Sequence, residues 1–313
     1  MLRPFNPLDF LSLLFLQARA HPNQAFSRQA LATAPARFLP ARSIVSDWVL
    51  QRASGRARIC SHRGIMGGIV YATRRRRNAN WDIGWLQVAR GREGEVADLL
   101  SCMSTALSET GAEKLFLRLP ESAWAQTFAL DASFTPYVNE ELYLRPRGAH
   151  LTGGWDPARG ELSDAGPTAA WDVYRFYQRV VPAKTREAEG LTLNQRQDRL
   201  DLSKDWRQRS SHILERDDVV MGWSSVHGKG GSSVLDILID PSDWDLGQTM
   251  IGAAIDSVGQ LSSICCVLPE YQQPLAGVLR ALGFNKIGEF TSYSRPLTAR
   301  VKDRKLMPVG ASS

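Results

Sequence analysis

The sequence predicts a mixed α/β protein of two tandem units, each a mixed, mostly antiparallel sheet flanked by helices. Three observations carry this reading. One order of landmarks occurs twice: Leu115-Phe116-Leu117-Arg118 leads into Leu119-Pro120-Glu121, a helix-like segment, Phe134 and Tyr143-Leu144-Arg145-Pro146. Ile264-Cys265-Cys266-Val267 leads in the same way into Leu268-Pro269-Glu270, a second helix-like segment, Phe284 and Tyr293-Ser294-Arg295-Pro296. The Pro-Glu pairs lie 149 residues apart, and the phenylalanines and Arg-Pro pairs 150, so a single insertion separates two collinear copies. A repeat of domain size means tandem duplication and not a solenoid. The second observation is that strand-like and helix-like patterns follow one another in the same order in both halves. The third is size: 313 residues, 43% hydrophobic and 22% charged, suit two soluble domains that each bury a core. The expected domains are 1–148 and 149–300, with 301–313 a flexible tail.

In the first half, Leu2 to Phe5 reads as a short edge strand. Asn6 or Pro7 opens a helix with Leu8, Leu11, Leu14 and Phe15 at helical spacing. The apolar run Leu8–Leu16 followed by Ala18-Arg19-Ala20 imitates a signal peptide. Asp9 inside the run, together with Pro4 and Pro7, argues instead for a folded helix, and the run is too short to span a bilayer. A second helix falls within Gln24–Ala41, stopped near Pro35 or Pro40. Trp48, Val49 and Leu50 precede a polar turn at Ser54-Gly55 and a strand near Ala57–Ser61. Gly64–Thr73 and Trp81–Val88 alternate as strands around a polar tip at Arg74–Asn80. An amphipathic helix carries Val96, Leu99, Leu100, Met103 and Leu107 and ends at Gly111. Leu115–Leu119 is a buried strand, Ala123–Leu130 a helix and Glu140–Arg145 the last strand.

Gly148–Gly166 reads as the linker and a short first strand of the second half. Ala170–Val181 is a helix broken by Pro182, and a charged helical stretch runs to about Trp206. His212–Glu215 and Val219–Val226 form a hairpin, Ser233–Ile239 its further partner, and Leu246–Val258 a helix before the second set of landmarks. Each half is therefore strand, two helices, a three-strand meander, helix, strand, helix, strand. The later crossover is βαβ-like, so both parallel and antiparallel pairing are expected.

Each half resembles the Gcn5-related N-acetyltransferase (GNAT) fold, and the whole chain resembles a tandem GNAT protein. The resemblance rests on the duplication, the element order, the start Leu2-Arg3-Pro4 with Leu8-Asp9, and Leu282-Gly283-Phe284. Ser133-Phe134 fits the same place with the glycine lost. It implies an acyl-CoA-dependent N-acetyltransferase that passes the acyl group directly to a small-molecule or peptide amine, with acetyl-CoA as cosubstrate. In that family a Q/R-x-x-G-x-G/A loop after the fourth strand offers free N–H groups to the pyrophosphate at a helix N-terminus. Here that place is held by Val88-Ala89-Arg90-Gly91-Arg92-Glu93-Gly94-Glu95, which is basic and has two glycines, although no register satisfies the motif. Val88, Arg90, Gly91, Arg92, Gly94 and Glu95 are the candidate cofactor-binding residues. The second-half counterpart, Asp240-Pro241-Ser242-Asp243-Trp244-Asp245-Leu246-Gly247, is acidic and loses a donor at its proline.

The tyrosine that many family members place four residues before Gly-Phe, as general acid, is Leu279 in one half and Ala129 in the other. Tyr143 and Tyr293 recur in the last strands and read as structural. Asp82 or Asp236 could serve as a general base, or be solvated strand residues, so no catalytic residue is assigned. Missing tyrosines and poor loops keep open an alternative, a catalytically degenerate GNAT-like binding or structural protein.

The net charge of +6 favours anionic ligands. Arg74–Arg77 could touch nucleic-acid phosphates, but a solvated tip that blunts a sheet edge is the preferred reading; Trp81 and Trp85 follow on the strand, and the tryptophans read mostly as core or interdomain candidates. Neither nucleic acid nor membrane is expected as a partner, and oligomeric state is not legible. Cys60, Cys102, Cys265 and Cys266 lack metal-site spacing, as do the five histidines. No metal is expected, and reduced thiols suit a cytoplasmic protein.

Overall fold

The computed structural model describes residues 1–33, 55–62, 65–75, 79–149, 161–166, 169–190, 206–259 and 262–297. The end of the helix expected within Gln24–Ala41, the Trp48 segment, Arg76 and Arg77, most of the linker, the charged stretch after 190 and the tail from 301 lie outside them. The first half comprises β1 (Leu2–Pro4), α1 (Phe10–Arg19), α2 (Arg28–Ala32), β2 (Gly55–His62), β3 (Ile65–Arg74), β4 (Asn80–Val88), α3 (Glu95–Ser108), β5 (Lys114–Pro120), α4 (Ala125–Asp131) and β6 (Thr135–Arg145). The second comprises β7 (Glu161–Asp164), α5 (Ala170–Val180), α6 (Ala183–Glu189), β8 (Arg207–Arg216), β9 (Val219–Lys229), β10 (Ser232–Ile239), α7 (Leu246–Val258), β11 (Ser263–Pro269), α8 (Leu275–Ala281) and β12 (Asn285–Pro296).

These strands form one continuous sheet in the order β1-β2-β3-β4-β5-β12-β6-β11-β10-β9-β8-β7. The halves exchange their last strands. β12 pairs with β5 of the first half, β6 pairs with β11 of the second, and β6 and β12 pair with each other at the seam. Among the described residues, only β4–β5 and β10–β11 are parallel. The register at the seam obeys the repeat. Glu140 lies opposite Phe290, its own counterpart, and Glu141↔Glu289 is mirrored by Asn139↔Thr291. Even the register shifts mirror, between Lys286 and Gly288 on one side and beside Tyr293 on the other.

Two apolar cores lie on one face. Val96, Leu99, Leu100, Met103 and Leu107 put the buried stripe of α3 onto β3–β5, with Phe134 alongside. Met250, Ile251, Ala254 and Ile255 of α7 do the same on β10 and β11, with Phe284. The strand exchange shows in the side chains: Tyr293 packs in the first core and Tyr143 in the second. Burial, then a 2.7 Å hydrogen bond to Glu141, pushes the Tyr143 phenol up to about 12, which fits its structural reading. Cys265 and Cys266 point to opposite faces of β11, as strand alternation requires.

On the other face, α1 covers β3 with Leu13 and Leu16, and α5 covers β9 and β10. The short helices reach across the seam: α2 packs on β10 and β11, and α6 on β6. Arg75 corrects the reading of Arg74–Arg77 as a solvated tip on a sheet edge. β3 and β4 are interior strands, and Arg75 folds back to hold Asp82 through two hydrogen bonds of 2.7 Å, its guanidinium 3.8 Å from the centre of the Phe116 ring. Both side chains are nearly buried, and their pairing offsets the cost of taking each charge out of water.

Candidate functional site

Each half has one place where parallel neighbours diverge. β4 and β5 are in register only from Asn80↔Lys114 to Ile83↔Leu117, so the end of β4 stands away from β5 and bares one backbone edge. Such an edge must find partners if it is buried. It finds them in the chain that follows α1. Ala20 bridges Ala89, His21 N–H donates to Val88 O at 2.9 Å, and Gln24 N–H to Leu86 O at 2.9 Å. The buried Asn23 accepts from Leu86 N–H at 2.9 Å through its Oδ1, and Phe26 N–H reaches β5 at Arg118 O, 3.1 Å away. Residues 20–26 thus form a strap that fills the divergence.

The loop beyond β4 brings the candidate cofactor residues together. Val88 is buried in the core, Arg90, Gly91 and Gly94 are exposed, and Arg92 and Glu95 are partly covered. The loop already holds an anion of its own. The Glu93 carboxylate accepts from Gly91 N–H at 2.9 Å and shares a hydrogen bond with His21 Nε2. The His21 bond, then the N–H groups of Glu93 and Gly91, bring that carboxyl down to about 2. Arg92 Nη1 is 2.7 Å from Glu95 Oε1. Beside the loop opens a cleft of about 660 Å³, lined by Ala18, Arg19, His62, Ile65, Met66, Gly67, Ala89, Arg90 and Arg92.

In the second half, β10 and β11 part after Leu235↔Cys266. Two residues, Val181 and Pro182, join α5 to α6, so no strap of the first-half kind is possible. A side chain substitutes for it. The fully buried Gln272 accepts from Ile239 N–H at 2.9 Å and donates to Ile239 O at 3.0 Å, as a peptide neighbour would. Asp240 accepts from Ser242 N–H and Oγ and pairs with Arg179, while Arg216 holds Asp243 at 2.9 Å. Leu279 and Ala129, at the general-acid positions, are core residues without a proton to give.

Of the two candidate bases, Asp82 is bound up with Arg75, so it is neither a solvated strand residue nor free to take a proton. Asp236 is buried 3.8 Å from Arg28. The same Arg28 reaches a group that sequence reasoning missed. Glu140, in the middle of the sheet, accepts from Arg118 Nε at 2.7 Å, from Arg28 Nη2 at 3.3 Å and from Ser292 Oγ. Burial raises its carboxyl, but Arg118 and Arg28, with the Ser292 hydrogen bond, outweigh that and set it at about 2. The repeat held a signal for it, because Glu140 is the counterpart of Phe290. Gln272 carried a like signal, standing where the first half has Ala123, whereas Asn23 carried none. Among the described residues no three His, Cys, Asp or Glu side chains are grouped to hold a metal ion.

No protein-family model matches the chain, and no curated protein does. Solved structures do resemble it. A tandem GNAT protein from the clavulanic acid biosynthesis pathway matches at 14% identity over 96% of this chain and 99% of its own, with a TM-score of 0.52. A GCN5-related N-acetyltransferase from Sphaerobacter thermophilus matches at 12% identity over 95% of both chains, TM-score 0.55. A Drosophila protein matches at 12% over 95% and 98%, TM-score 0.51. At these identities the likeness establishes the fold: a tandem GNAT architecture over nearly the whole chain.

Proposed function

We propose that this tandem GNAT fold serves as a binding or structural protein, with the acyl-CoA site of its first half closed by the chain itself. One observation carries the reading. The bared edge of β4 and the loop beyond it are both occupied, the edge by the strap 20–26 and the loop by the Glu93 carboxylate. An acyl-CoA lying there would have to displace hydrogen bonds already made and a carboxylate already seated, so its binding would be reduced by the cost of that opening. The second half adds to this: Gln272 occupies Ile239, and in the loop beyond it Asp240 already takes the Ser242 N–H that a phosphate would need.

A specific observation favours a second reading, acyl-CoA-dependent N-acetyl transfer to a small-molecule or peptide amine. The cleft carrying Arg19, Arg90 and Arg92 borders the very loop where the GNAT resemblance places acetyl-CoA, and guanidiniums suit phosphates. Calorimetric titration of acetyl-CoA into the protein and into an Arg90→Ala/Arg92→Ala variant separates the two. The proposal expects no heat of binding at micromolar concentrations. Micromolar binding that the variant loses would overturn it in favour of acetyl transfer and justify a screen of amines. Binding that the variant keeps would also overturn it and move the site to the second half. That Cys60, Cys102, Cys265 and Cys266 form no disulfide accords with the cytoplasmic setting we propose.

A further inference from the structure

We propose that the outer face of α1, with the arginine-lined cleft at its end, docks the protein onto an anionic phospholipid surface. The helix Phe10–Arg19 is apolar on all sides save Ser12, Gln17 and Arg19. Leu13 and Leu16 face the core and are fully buried, which accounts for one side only. On the other side Leu8 is 88% exposed, Leu11 66%, Phe15 70% and Leu14 47%, and Ile65 extends the stripe at 56%. A helix hydrophobic all round belongs against a second apolar phase, and a contiguous exposed patch of this kind marks an interaction surface.

The second observation is charge. The C-terminal end of α1 supplies Ala18 and Arg19 to the cleft, where Ile65, Arg90 and Arg92 join them. Arg92 is neutralised by Glu95, and Glu93 is held by His21. Arg19 and Arg90 make no ion pair among the described residues; Arg19 gives one hydrogen bond, to Met66 O. Unpaired guanidiniums therefore border an exposed apolar stripe. The boundary of an anionic bilayer offers both complements, acyl chains for Leu11 and Phe15 and lipid phosphates for Arg19 and Arg90. No helix among the described residues is long and apolar enough to cross a membrane, so the contact is peripheral. The proposal departs from the expectation of no membrane partner.

Co-sedimentation with phosphatidylcholine vesicles, and with vesicles of equal parts phosphatidylcholine and phosphatidylglycerol, tests it, with light scattering for mass in solution. The protein should partition onto the anionic vesicles roughly tenfold better than onto neutral ones. Leu11→Ser/Phe15→Ser should fall to the neutral level with circular dichroism unchanged, because both side chains are exposed. Arg90→Gln should weaken binding a few-fold. Absence of sedimentation, or equal sedimentation with both vesicles, would overturn the proposal. So would a dimer in solution that the double serine variant makes monomeric, since the stripe would then be a self-interface.

Discussion

Glu140 and Phe290 hold equivalent places in the repeat and face each other where β6 meets β12. Around Glu140 stand Arg118 and Ser292, whose own counterparts are Val267 and Leu142. One side of the seam is thus ionic and the other apolar, on a backbone that is nearly two-fold symmetric. The places where parallel strands diverge differ in the same way, a backbone strap in the first half and the Gln272 side chain in the second. Duplication supplies a symmetric frame, and the side chains then decide which half reaches over the other. Arg28, on the α2 that crosses the seam, engages Glu140 and Asp236, so the ionic side fixes where the first half's helix sits. Removing one partner of such a network leaves charge buried and uncompensated, whereas an apolar contact can be trimmed gradually.

The largest effect should come from breaking the ionic side. Glu140→Leu should destabilise by about 3–5 kcal/mol in urea titrations, because Arg118 and Arg28 lose their shared carboxylate. Phe290→Leu, at the equivalent place, should cost only about 1 kcal/mol. Equal costs would show that the seam is held by shape alone. Acid gives the same test without mutation. The Glu140 carboxyl titrates at about 2 in the folded protein, below its ordinary value, so its contribution is present at neutral pH and lost as pH falls. Stability should therefore decline between about pH 5 and pH 2, and Glu140→Leu should flatten that decline.

Next come the two ways of satisfying a bared strand edge. Asn23→Ala removes the acceptor for the N–H groups of Leu86 and Ala25 and should cost about 1–3 kcal/mol. Hydrogen exchange should quicken at Leu86 and leave β10 unchanged. Gln272→Leu should do the converse, at Ile239 alone and at a similar cost. Faster exchange in both halves from either variant would mean that the divergences open together and that the strap is no independent unit.

The repeat made most of the fold legible, because Leu-Pro-Glu, Phe and Arg-Pro survived in both copies. The exchange of β6 and β12 was not, since a strand's own residues are the same whichever neighbour it joins. Pairing partners are set by long-range packing, here by Tyr143 and Tyr293 entering opposite cores. The strap was hidden for a different reason. Asn23 to Phe26 has no periodicity, and its order comes from the edge it covers. The loop expected over Ala89–Glu95 does lie between β4 and α3, but that Glu93 seats its carboxylate in the loop depends on His21, some seventy residues earlier in the chain, which no local pattern reveals.

The smallest expected effect sharpens the comparison most, because it concerns the one landmark the copies do not share. Gly283 has φ of +85° and leads into Phe284; Ser133, at the same place before Phe134, has φ of +60°. The turn has kept its left-handed backbone in the first half although the glycine is gone. A side chain there costs about 1–2 kcal/mol in the folded state, partly offset by the entropy that glycine would lose on folding. Ser133→Gly should therefore stabilise the protein by about 0.5 kcal/mol, and Gly283→Ser should destabilise it by a similar amount. Thermal melts of the two variants and of the double exchange would check this, and the double variant should return to the starting stability if the turns are equivalent. A loss of stability in Ser133→Gly would instead show that the serine does work in its own half, and that the two copies have parted at this turn as they have at the seam.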